Sequence, residues 1–97
     1  MITEIVEKIA NKEGVDKEKL IILSLIAYLN EKKRKYTEEK LEILKRYSVN
    51  SMKELEEKIR NGEVEEHPAW EDLITLENLE ELIKEISDDI QRLQKIV

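Results

Sequence analysis

Histidine occurs once in this sequence, at position 67, and the carboxylates around it decide what chemistry it could do. His67 and Glu71 stand four residues apart, with Glu65, Glu66 and Asp72 nearby. A metal centre built on them would need more ligands at regular spacing. The chain has no cysteine, so thiolate sites and disulfides are both excluded. A helical di-iron centre needs paired Glu-x-x-His motifs, which one histidine cannot supply. A Ser–His–Asp relay would have to run through His67, and no nucleophile elbow or glycine loop accompanies it. With two glycines in all, no P-loop or dinucleotide cradle is present. Asp88 and Asp89 fall on different sides of a helix and read as solvated. The residues argue against an enzyme, and neither a metal nor a cofactor is expected.

Charge says more. Residues 1–35 carry eight bases and six acids, residues 36–60 six of each, and residues 61–97 three bases and eleven acids. The one dense basic patch is Lys32, Lys33, Arg34 and Lys35, with Tyr36 beside it. Doubled in a dimer it could touch phosphates. A chain of net charge −6 offers no broad basic face, so DNA is the lesser alternative. The patch reads first as the end of a helix, favourable against the C-terminal dipole. The acidic third suits a basic protein partner, whose encounter it would speed.

These residues must be positioned by helices. Charged residues make up 41% of the chain, glutamate and lysine dominate, and a single proline interrupts it; this is helix-forming composition. The same usage, rich in isoleucine and free of cysteine, matches a hyperthermophile's. Residues 3–13 form a short helix with Thr3 as N-cap, stopped by Gly14. Asp16 caps a second helix to about Lys35. Its run LIILSLIAYL, residues 20–29, is too short to span a membrane, which takes about 20 apolar residues, and it follows no basic leader. It is apolar nearly all round and must be surrounded by protein, part of it a second copy. Leu20, Ile21, Leu23, Leu25, Ile26, Tyr28 and Leu29 are therefore candidate dimerisation residues. A break at Tyr36-Thr37 lets Thr37 cap a third helix over 38–47. Ser51 and Glu54 form a capping box for a fourth over 52–60, closed by Asn61-Gly62. Residues 63–67 read as a linker.

The last helix shows Leu76, Leu79, Ile83, Ile86, Ile90, Leu93 and Val97 at alternating spacings of three and four, a heptad seam. Its partner helix is either internal or a second chain. Before it, Pro68 belongs in a first turn. Trp70, Leu73 and Ile74 share spacing, so Trp70 reads as an anchor burying roughly 200 Å². HPAWED would be a structural corner joined at an angle to a long helix recapped by Thr75; its tryptophan could otherwise face a partner. The expected fold is all-α: a single domain of about five helices. It comprises a helix-turn-helix front half (1–35), a helical hairpin region (36–62) and a long acidic heptad helix (63–97).

Residues 5–35, with Gly14-Val15 at the turn and a longer apolar helix ending in bases, resemble the two helices of ribbon-helix-helix proteins. That resemblance implies an intertwined dimer. The family reads DNA with a strand before the first helix, and only Met1 and Ile2 precede Thr3 here. The stretch from Tyr47 to Leu55, the Asn61-Gly62 stop and the Pro68-Ala69-Trp70-Glu71-Asp72 corner are similar to small archaeal antitoxin-like proteins. That resemblance implies a dimerising front half and a helical tail that wraps a toxin. Trp70, Leu73, Ile74, Leu76, Leu79, Ile83, Ile86, Ile90 and Leu93 are the candidate contacts. The expectation is a cytoplasmic, homodimeric, non-enzymatic interaction protein. A DNA-binding regulator and a purely structural dimer are the alternatives.

Overall fold

The computed structural model describes residues 1–97 and contains four helices and no strand. α1 spans Ile2–Glu13, α2 Lys17–Arg46, α3 Met52–Arg60 and α4 Glu66–Lys95. Local signals set most of these ends. Gly14 stands at φ 68°, ψ 30°, and its amide and that of Val15 donate to Asn11 and Ala10 carbonyls, closing α1. Asp16 Oδ1 accepts from the Lys19 amide at 2.8 Å and opens α2. Ser51 Oγ accepts from the Glu54 amide at 3.1 Å, while Glu54 Oε2 accepts from the Asn50 amide at 2.8 Å. α3 ends at Asn61, with Gly62 in the left-handed region at φ 71°.

Three expectations need correction. Thr3 lies inside α1, whose N-cap is Met1. The break at Tyr36-Thr37 does not exist: α2 runs 30 residues without interruption. Neither residue forbids helix, and the Thr37 hydroxyl donates to the Lys33 carbonyl at 2.8 Å, a mid-helix use of the group that would otherwise cap. The chain therefore has four helices, close to the expected number of about five, and Lys32–Lys35 lie in mid-helix; Lys45 and Arg46 occupy the last turn. Thr75 likewise caps nothing, because its hydroxyl donates to the Glu71 carbonyl at 3.1 Å within continuous α4. His67 alone departs from helical angles (φ −110°, ψ 119°) and precedes Pro68 through a cis peptide. Regular helix begins at Pro68, as first-turn proline requires.

α2 and α4 are antiparallel, about 45 Å each at 1.5 Å per residue. Arg46 pairs with Asp72 at 3.2 Å, Lys40 with Glu80 at 3.2 Å, and Leu29 shares a groove with Leu93. The core sits at one end of this pair, where α3 packs in: Ile43, Leu44, Val49, Leu55, Ile59, Ala69, Leu73, Leu76 and Leu79. The heptad seam thus faces its own chain. Leu76, Leu79, Ile86 and Ile90 are buried and Ile83 and Leu93 half-buried, while Val97 lies exposed past the end of α4. At the other end α1 packs on α2.

Candidate functional site: the open apolar face of α1 and α2

Of the twelve buried residues only Ala10 precedes Ile43. The segment 20–29, expected to be enclosed, has no buried residue at all. Ile21, Leu23, Leu25 and Tyr28 are exposed, and Leu20, Ile26 and Leu29 half-buried. The cause is geometric. α4 and α1 together cover only part of the circumference of an α2 segment that is apolar nearly all round. Ile5 and Ile9 of α1 are exposed as well. Val6, Ile9, Leu20, Ile21, Ser24 and Leu25 line a groove between α1 and α2. Beside it, Leu25, Tyr28 and Leu29 meet Leu93 and Arg92 of α4. An apolar surface thus runs across three helices at the end of the molecule remote from the core.

On α4 the structure divides the expected contact residues. Leu73, Leu76, Leu79, Ile86 and Ile90 are buried, so they hold α4 on α2 and α3 and are closed to any outside partner. Trp70 and Ile74 turn outward, 39% and 55% exposed. The inward face is Ala69-Leu73-Leu76, one residue out of step with Trp70-Ile74. Sequence spacing alone fits both, and the anchor role expected of Trp70 passes to Ala69, which is fully covered. Exposed Glu66, Glu71, Glu77, Glu81 and Glu85 are spread along the same helix.

The basic patch is partly engaged. Arg34 donates to both Glu31 oxygens at 2.6 and 3.0 Å and also bonds Glu38. The hydrogen bond from Arg34 draws the Glu31 carboxyl below its ordinary range, and the two glutamates push the guanidinium's pKa upward. Lys32 Nζ lies 5.9 Å from the ring centres of both Tyr28 and Tyr36. His67 Nδ1 stands 3.3 Å from Glu71 Oε1 in full solvent. No three His, Cys, Asp or Glu side chains converge where a metal ion could be held. No helix is long and apolar enough to cross a membrane.

The feature sequence reasoning missed is the corner joining α2, α3 and α4. The Tyr47 hydroxyl donates to Asp72 Oδ2, Arg46 Nη1 reaches the same oxygen at 3.2 Å, and Lys58 Nζ donates to the Tyr47 carbonyl at 3.0 Å. Burial, reinforced by the Asp72 hydrogen bond, pushes the Tyr47 phenol up to about 12. No spacing rule links positions 25 residues apart, so only the fold reveals it.

This architecture defines a class: an elongated, all-α protein with a core at one end and an open apolar face at the other. The chain belongs to the family described as the Uncharacterized protein MJ0235 family, which matches residues 1–96. It is similar to Uncharacterized protein MJ0235 of Methanocaldococcus jannaschii, an archaeal relative 41% identical over 69 residues, covering 71% of this chain and 84% of that protein. No solved structure matches it.

Proposed function

We propose that this chain is a non-enzymatic protein–protein interaction module, antitoxin-like in plan, working as a homodimer in the cytoplasm and docking a basic protein through the outer face of α4. The observation that carries the reading is the outward pair Trp70-Ile74 on an acidic helix. Residues 66–95 hold nine acids against three bases. Aromatic and aliphatic anchors ringed by charge are the usual make-up of a binding hot spot with a steering rim. The mechanism is occlusion: Trp70 and Ile74 enter an apolar pocket, and the surrounding carboxylates cover basic residues beside it. Duplex DNA is the weaker candidate, because Arg34 is already held by Glu31 and Glu38.

Co-expression with the product of a neighbouring reading frame tests the reading. A stable complex that dissociates at high salt, and is lost in the Trp70→Ala/Ile74→Ala double variant with the fold intact, supports it. A partner that binds wild type and double variant equally well removes α4's outer face from the account.

A further inference from the structure

We propose that a second copy of this chain covers the open face, with the two α2 helices antiparallel across a two-fold axis near Leu25. The inference deepens the reading above by assigning the partner at its other surface, and rests on it only for the statement that the chain works by association.

The amount of surface is the first argument. A folded monomer of 11.5 kDa exposes about 5,800 Å². This chain exposes 7400 Å², roughly 1,600 Å² more. Its radius of gyration is 19.4 Å, against about 13 Å for a compact domain of this length. A stable interface covers about 800 Å² per partner, and permanent homodimers cover more. The excess is of the size a dimer removes, and exposed apolar side chains are concentrated at this end.

The second argument is the pattern on α2. Glu18, Ile21, Leu25, Tyr28 and Lys32 follow one another at spacings of three and four, a heptad stripe. Ile21, Leu25 and Tyr28 are 42%, 45% and 61% exposed. α1 and α4 flank this stripe without covering it: Ile21 and Leu25 share a groove with Val6 and Ile9, and Leu25 and Tyr28 share another with Leu93. Residues 20–30 carry no charge, in a protein where 41% of residues do. Within this segment a basic heterologous partner would find no carboxylate to read, the nearest acids, Glu18 and Asp89, standing at the rim. Two copies of an acidic chain, by contrast, need a neutral surface on which to meet.

The third argument fixes orientation. The stripe ends in opposite charges, Glu18 and Lys32, each seven residues from Leu25. In a parallel pair each would meet its own kind. An antiparallel pair about Leu25 sets Glu18 against the partner subunit's Lys32 at both ends, and Lys19 near the partner subunit's Glu31. The stripe is self-complementary in one direction only.

Sedimentation equilibrium of the full chain, with charge swaps, decides. Wild type is expected at twice 11.5 kDa at micromolar concentration. Leu25→Glu is expected to be monomeric while retaining the cooperative melt of the core at residues 43–79. Glu18→Lys and Lys32→Glu should each weaken association about tenfold, two like-charge contacts being created per dimer. The double swap E18K/K32E should restore it. Wild type monomeric at about 100 µM overturns the dimer. Leu25→Glu remaining dimeric removes this face from it, and a double swap no better than either single swap overturns the antiparallel register. Partner binding by a monomeric wild type would sink this proposal and leave the α4 reading standing. A dimer indifferent to every basic partner would do the reverse.

Discussion

The Tyr47 hydroxyl hydrogen-bonds the Asp72 carboxylate, fastening the last turn of α2 to the beginning of α4. Arg46 shares the same oxygen at 3.2 Å, and Asp72 is only 17% exposed. Tyr47→Phe should therefore cost about 1–2 kcal/mol, the range of a hydrogen bond to a charged group with one remaining partner. The bond also makes stability depend on alkaline pH. The folded-state phenol titrates at about 12, above its usual value of 10.0, so its contribution is intact below pH 10 and lost as pH rises through 12. Absorbance at 295 nm should show one of the three tyrosines ionising late, and the melting temperature should fall more steeply between pH 10 and 12 in wild type than in Tyr47→Phe.

Leu55 and Leu76 are completely enclosed, the largest side chains in the chain to be so. Each leaves a void when truncated, and Leu→Ala at either site should cost about 2–5 kcal/mol. Urea denaturation measures it. Leu23→Ala, made on the exposed segment of α2, should cost less than about 1 kcal/mol in a monomer. A large, concentration-dependent loss at Leu23 would instead extend the dimer contact to that side of α2.

Residue chemistry made some of this legible and hid the rest. Short-range signals in the sequence match the structure at several helix ends: Gly14 is a left-handed stop, Asp16 and Ser51 are side-chain caps, and Asn61-Gly62 ends α3. The all-α class followed from composition and period. Threonine misled, because its hydroxyl serves an N-cap or an i−4 carbonyl equally well, and at Thr37 and Thr75 it does the latter. The heptad on α4 was visible, but a period names a face and says nothing of what lies against it; here α2 does. Trp70 illustrates the same limit on a smaller scale, since Ala69, with almost no side chain, takes the covered position and pushes the indole to the rim. The open apolar segment on α2 follows from the same competition: α4 is engaged along its seam, and α1 is too short to wrap the remainder.

Ser48 ends α2 without the residue best suited to the task. It stands at φ 54°, with its amide donating to the Lys45 carbonyl and that of Val49 to the Leu44 carbonyl. A Cβ in this region is costly, and glycine or asparagine is the usual solution. Ser48→Gly should raise stability by about 0.5–1 kcal/mol, the relief of strain exceeding the added freedom of the unfolded chain. Chemical denaturation of the two proteins side by side checks the sign; destabilisation would mean that the Ser48 side chain supports the turn.

Thr37 separates a continuous α2 from a broken one. If it capped a new helix, Thr37→Ala would cost about 1 kcal/mol. Inside a helix, alanine replaces a β-branched residue of lower propensity and should leave stability unchanged or raise it by up to about 0.5 kcal/mol. Thr37→Pro sharpens the contrast. At the start of a helix proline is tolerated, whereas in mid-helix it removes the bond to Lys33 and costs about 3 kcal/mol or more. Stability should therefore rise or hold with alanine and collapse with proline. Helical circular dichroism at 222 nm should fall in the proline variant, because the two halves of α2 would no longer be held in line to receive α4.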